Sequence, residues 1–157
     1  TLTRTHLALL AIAGSAGLLL GALAFQHLGG LYPCILCLWQ RWPHLAAVLI
    51  GALAIWLGWR VLAVLAGLAA LTSAAIGVFH VGVEQTWWEG LASCSSGSVA
   101  GISAADLLNP AVDVARVVRC DEIAWQMFGI SMAGWNAILS AILATGLASS
   151  LSRMART

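Results

Sequence analysis

The sequence predicts an all-α membrane protein, a bundle of four transmembrane helices forming a single domain over residues 1–157. Three observations carry that prediction. Of the 157 residues, 61% are hydrophobic and only 8% are charged, with a mean hydropathy of +0.95; a soluble domain of this size cannot bury so much apolar surface. Four apolar runs follow one another, each near the roughly 20 residues that span a bilayer core. All six acidic residues (Glu84, Glu89, Asp106, Asp113, Asp121 and Glu122) fall between the third run and the fourth.

The first helix is expected over about 7–28. Arg4 with Ala22-Leu23-Ala24 would also suit a signal peptide, but the run exceeds an h-region of about 7–15 residues and further spans follow. A short loop over 29–33 leads to the second helix, 34–59. Pro33 suits its first helical position, because the missing N–H would be unpaired there anyway. Pro43 biases Trp42 away from helical geometry and marks the place for a kink. Gly58-Trp59-Arg60 is a minimal turn into the third helix, 61–79. The stretch 80–131 is a long loop, and within it Leu107, Leu108, Val112, Ala115 and Val118 form an apolar stripe. It predicts a short helix over 104–118, interrupted by Pro110, lying on the membrane surface. The fourth helix is expected over 132–151.

Four spans put Arg4, Arg60, Arg153 and Arg156 on one side, which the positive-inside rule makes cytoplasmic, with both termini. The loops 29–33 and 80–131 then lie outside. Trp42, Trp87, Trp88, Trp125 and Trp135 mark the outer interface, and Trp56 and Trp59 the inner one. A net charge of +1 gives no case for a nucleic-acid partner.

All four cysteines lie on the outer side, where disulfides persist. Cys34, Cys37 and Arg41 are spaced three and four apart, so they share one helix face. A CxxC in a first helical turn near a cation is the setting that makes a nucleophilic thiolate. Redox chemistry by thiol–disulfide exchange is therefore expected, with Cys94 and Cys120 as a second dithiol, although four cysteines allow three full pairings. A four-cysteine zinc site wants two CxxC knuckles, and only one is present. Haem attachment needs CxxCH, and Leu38 follows Cys37. Disulfides that merely staple a non-enzymatic membrane scaffold are the alternative, but a staple explains neither the CxxC placement nor Arg41. No haem, flavin or iron–sulfur motif is visible, so the expected electron acceptor is a quinone entering from the lipid. Arg41 would stabilise both the Cys37 thiolate and the charge developing on a quinone oxygen.

These residues resemble the disulfide bond formation protein B (DsbB) family of bacterial inner-membrane thiol:quinone oxidoreductases. Phe25-Gln26-His27, Pro33-Cys34-Ile35-Leu36-Cys37 and Arg41 match its FQH…PCxLCxxxR block. Cys120, Glu122, Trp125, Gly129, Met132 and Trp135 match CxExxWxxxGxxMxxW. The resemblance implies a periplasmic DsbA-like dithiol oxidase as partner and ubiquinone, or menaquinone, from the membrane pool as acceptor. It implies that Cys94 forms the mixed disulfide with the partner, that Cys120 connects to Cys34, and that Cys37 faces the quinone beside Arg41. Met132 matches a residue near the quinone. The family's quinone-side histidine falls on Gln85 here, with His80 five residues earlier as its replacement. Gln40 stands where relatives can carry an acid, and it cannot supply a carboxylate. No metal is expected.

Overall fold

The computed structural model describes residues 4–95 and 118–154, with side chains over 9–94 and 118–147. Four long helices dominate it: α1 (Arg4–His27), α2 (Ile35–Leu57), α3 (Arg60–Glu84) and α5 (Met132–Met154). A single turn, α4 (Ala92–Ser95), and a two-stranded hairpin, β1 (Gln126–Met127) with β2 (Ile130–Ser131), lie between α3 and α5. Contacts of α1 with α2, α2 with α3, α3 with α5, and α5 with α1 close the helices into a ring.

The packing is that of a bundle whose solvent is apolar. Leu20, Leu49, Leu68 and Ile142 face outward, whereas the buried positions are mostly small or polar, such as Ala47, Ala54, Ala66, Ala70, Ser15, Ser73 and Ser140. Membrane helices pack this way because lipid offers large apolar side chains as good an environment as the interior does, so close backbone approach decides which face turns inward. Among the described residues two segments, Leu9–His27 and Arg60–Glu84, are long and apolar enough to cross a membrane.

Several boundaries differ from those expected. The second helix starts at Ile35, so Pro33 precedes it instead of occupying its first position. Cys34 is the N-cap, with extended backbone (φ −73°, ψ 173°), and its sulfur accepts the Cys37 N–H. That bond satisfies one of the donors a helix start leaves free. The helix continues through Pro43 to Leu57, where Gly58 closes it in the left-handed conformation (φ 69°) that glycine adopts without penalty. The third helix runs to Glu84, five residues beyond the expected end, which moves His80 from a loop into the bundle. It stops where Gln85 caps it and Thr86 takes a positive φ of 57°. The hairpin was not foreseen. Phe128 (φ 54°) and Gly129 (φ 75°) both take positive φ, as a type I′ turn between antiparallel strands requires. The surface helix expected over 104–118 lies outside the described residues, save Val118, which is irregular.

Candidate active site

The N-terminal end of α2 puts the two cysteine pairs side by side. Cys34, Leu36, Val83, Cys94 and Cys120 form one buried cluster, with Ile35, Cys37 and Phe79 packed against it. Cys94 and Cys120 are joined as a disulfide. Cys34 and Cys37 carry free thiols whose sulfurs stand 2.7 Å apart, so closing the roughly 2.05 Å bond of a disulfide takes a small sulfur movement. The Cys120 N–H points to the Cys94 carbonyl at 3.4 Å, tying the two loop ends together.

The CxxC thiols share a hydrogen bond across their 2.7 Å contact, and this bond, reinforced by burial, pushes the Cys34 thiol far above the ordinary cysteine range. A helix N-terminus favours negative charge nearby, and the neighbouring thiol's proton adds to that. The arrangement prepares Cys37 as the thiolate partner.

Cys37 opens onto a cavity of about 420 Å³, within the size range of small-molecule sites. Its wall is mostly apolar, from α1, α2, α5 and the segment 118–127, with Phe25 and Trp125 stacked at a tilt, ring centres 5.0 Å apart. Arg41, one turn beyond Cys37, lines the same cavity. Its guanidinium donates to Gln26 Oε1 at 2.5 Å and to the Ala22 carbonyl at 3.4 Å, while Nε is buried with no partner. A cation at the edge of a span is costly unless paired or functional, and here it is half-paired. The free Nε–H and the mostly apolar wall suit an apolar molecule that carries an oxygen acceptor.

The other expected residues divide. His80 and Met132 line the cavity; Gln85 is exposed and forms no part of its wall, because it sits past the helix end, one position out of phase with the inward face. Glu84, read in the sequence as a loop acid, takes the inward position instead and accepts a hydrogen bond from Ser131.

A buried polar network was also missed. Gln40 Nε2 meets His80 Nδ1 at 2.9 Å, and Asn136 Nδ2 donates to Gln40 Oε1 at 2.7 Å and to Ser73 Oγ at 3.1 Å. His44 Nε2 lies 2.9 Å from Asn136 Oδ1 and 3.1 Å from Ser140 Oγ. The signal was available as sets at helical spacing: Gln40 with His44, Ser73 with His80 and Glu84, and Asn136 with Ser140. Each set sits on one inward face of an otherwise apolar helix.

Residues 4–149 match the family described as Disulfide bond formation protein DsbB. Relatives named Disulfide bond formation protein B include that of Marinobacter nauticus, 31% identical over 136 residues covering 82% of this chain and 80% of the relative. Those of Saccharophagus degradans (29% over 139 residues, 82% and 81%) and Stutzerimonas stutzeri (30% over 139 residues, 81% and 82%) are similar over the same extent. No solved structure matches the chain at a significant level.

Proposed function

This chain belongs to the DsbB family of disulfide bond formation proteins, and from that premise we propose that it is a thiol:quinone oxidoreductase of the bacterial inner membrane. It accepts two electrons from a periplasmic DsbA-like dithiol oxidase by thiol–disulfide exchange and delivers them to ubiquinone or menaquinone. In this reading all four long helices cross the bilayer, both termini are cytoplasmic, and the four cysteines face the periplasm. The observation that carries it is the packing of two cysteine pairs in one buried cluster, with one pair at the wall of an apolar cavity that also holds a half-paired arginine.

The residues divide the work. Cys94, in α4, is attacked by the partner's thiolate and forms the mixed disulfide as the Cys94–Cys120 bond breaks; the partner's second thiol later attacks that mixed disulfide, closing the partner's own disulfide and freeing the Cys94 thiolate. Cys120, released, attacks Cys34, and the pair of electrons from the broken Cys34–Cys37 bond leaves on Cys37. Cys37 and Arg41 then hold the acceptor's reacting end, with Met132 and the Phe25–Trp125 pair shaping the cavity and excluding water. A bound quinone supplies a sink for two electrons and two protons, which an uphill transfer from a strongly oxidising partner requires. Arg41 contributes a fixed positive charge where negative charge develops, in a site too dry to screen it.

The test is quinone reduction by the purified protein in detergent. Reduced DsbA-type protein and a soluble ubiquinone analogue are added, and the loss of quinone absorbance is followed. Turnover that requires both the partner and Cys37 supports the proposal. Absence of turnover, with both cysteine pairs resisting glutathione as structural disulfides do, favours a membrane scaffold instead.

A further inference from the structure

The hydrogen-bond network fixes which nitrogen of His80 carries the proton, and the assignment starts two residues away. Asn136 Nδ2 lies 3.5 Å from the Ser73 carbonyl, 3.1 Å from Ser73 Oγ and 2.7 Å from Gln40 Oε1. Ser73 spends its own hydroxyl proton on the Gln40 carbonyl at 3.0 Å, so toward Asn136 its oxygen accepts. Only an amide NH₂ suits three acceptors, which orients Asn136. The Gln40 amide is oriented in turn: its Oε1 takes the Asn136 proton, and its Nε2 donates to the Leu36 carbonyl at 3.2 Å. The group that Gln40 turns to His80 Nδ1 at 2.9 Å is therefore a donor. Nδ1 must accept, and the single proton of the neutral ring sits on Nε2.

That Nε2–H has two acceptors. The Cys120 carbonyl lies at 3.2 Å and the Cys34 sulfur at 3.6 Å. His80 thus touches both residues whose sulfurs exchange in the reading above, on which this inference rests. We propose that His80 is a catalytic hydrogen-bond donor to sulfur: its Nε2–H stabilises the Cys34 thiolate and holds the Cys120 backbone over it. The step it serves is the release of Cys34. The Cys94 thiolate attacks Cys120 Sγ of the Cys34–Cys120 disulfide, the Cys94–Cys120 bond forms, and the old bond breaks with its electron pair leaving on Cys34. His80 donates a hydrogen bond to that thiolate without giving up its proton. Gln40, Asn136 and Ser73 act through His80 as positioning residues.

The same assignment decides a second question. Cys34 Sγ, Cys37 Sγ and the His80 ring lie within 4.8 Å of one another, close enough to hold a metal ion. A metal needs the bare nitrogen, and Gln40 occupies the bare one. The cluster is built to face a proton to sulfur.

The experiment isolates Cys34 in a Cys37→Ala background with the Cys94–Cys120 disulfide intact and measures its alkylation rate against pH. The other charged groups facing this point are Glu84, whose Oε1 lies 3.9 Å from His80 Nε2, and Arg41 across the cavity; both are kept. Adding His80→Phe should move the midpoint up by about one to two pH units, the size expected for one hydrogen bond to a charged group. His80→Gln, which keeps an N–H donor, should fall between the two and covers the case in which the phenylalanine variant does not fold. An unchanged midpoint in folded His80→Gln and His80→Phe proteins overturns the proposal. So do thiolate-to-cobalt absorption bands that appear when Co²⁺ is added to the reduced protein and vanish with His80→Phe, since they require the opposite tautomer. The readout uses neither quinone nor partner, so it succeeds or fails independently of the oxidoreductase reading.

Discussion

The two halves of the bundle are built on different terms. Toward Gly58 the helices meet through Ala47, Gly51 and Ala54 on α2 and Ala66 and Ala70 on α3, closing down to a void of about 20 Å³. A Cβ built on Gly51 would stand 2.7 Å from Ile12 Cγ1, so the approach there uses all the room available. Toward Cys34 the same helices are spaced by Gln40, His44, Ser73, His80 and Asn136, and leave about 420 Å³ open. Small-residue contacts supply cohesion in a membrane bundle. A buried polar network beside a hollow supplies little, since each polar group must be satisfied before it stabilises anything. The difference teaches that the Cys34 end is shaped for chemistry and that the Gly58 end holds the helices together while it happens.

That contrast can be broken from either side. The largest expected effect is at the site. Cys37→Ser should abolish quinone reduction, by more than about a hundredfold, with no change in thermal midpoint, because it removes the thiolate and little volume. Residual turnover near the wild-type rate would move the chemistry away from the hollow half. Arg41→Ala should raise the apparent KM for quinone by roughly tenfold to a hundredfold, the worth of a charged hydrogen bond; an unchanged KM would make Arg41 an interfacial anchor.

Smaller effects should separate stability from activity. Gly51→Leu should lower stability by about 1–3 kcal/mol through overpacking, read by detergent denaturation, while the surviving folded protein turns over at the normal rate. Asn136→Leu should cost about 1 kcal/mol, modest because polar contacts between membrane helices average less than in water, yet slow turnover through His80. If both variants changed activity alike, the two halves would not be functionally distinct. The smallest effect belongs to the loop. Arg119 beside Asp121 holds its carboxyl below the usual aspartate range. A depressed folded value gives stability that is present above the unfolded value and fades as pH falls through the folded one. Asp121→Asn should therefore lower the midpoint at pH 7 only slightly, because the pair is exposed, and remove the slight wild-type decline below about pH 4.

How far the sequence announced these features depended on whether the signal was periodic. Four apolar runs became four long helices, and the CxxC and Arg41 came together on one face as their spacing dictates. The end of α3 was misplaced because His80 and Glu84 were weighed as polar residues, when their i,i+4 spacing on a helix already turning Ser73 inward marked them as one face. Of the two positions the resemblance offered for the quinone-side histidine, His80 lines the cavity and Gln85 does not, because Gln85 lies past the end of α3. The Phe128-Gly129 turn lacks the Asn-Gly or Asp-Gly signature that announces such a hairpin, and Phe128 adopts positive φ without a local reason legible in its side chain. Cys94 and Cys120 stood as the second dithiol once the CxxC was taken as the first, although spacing alone allowed three connectivities.

The central claim is that electrons from the partner's dithiol end on a quinone by way of Cys37. The most direct measurement is the anaerobic stoichiometry of the purified protein with reduced DsbA-type partner and a ubiquinone analogue. Partner thiols are counted by alkylation and quinone by its absorbance. The account predicts one quinone reduced for each partner disulfide formed, and neither product in Cys37→Ser. Partner disulfides that accumulate with no loss of quinone would contradict it.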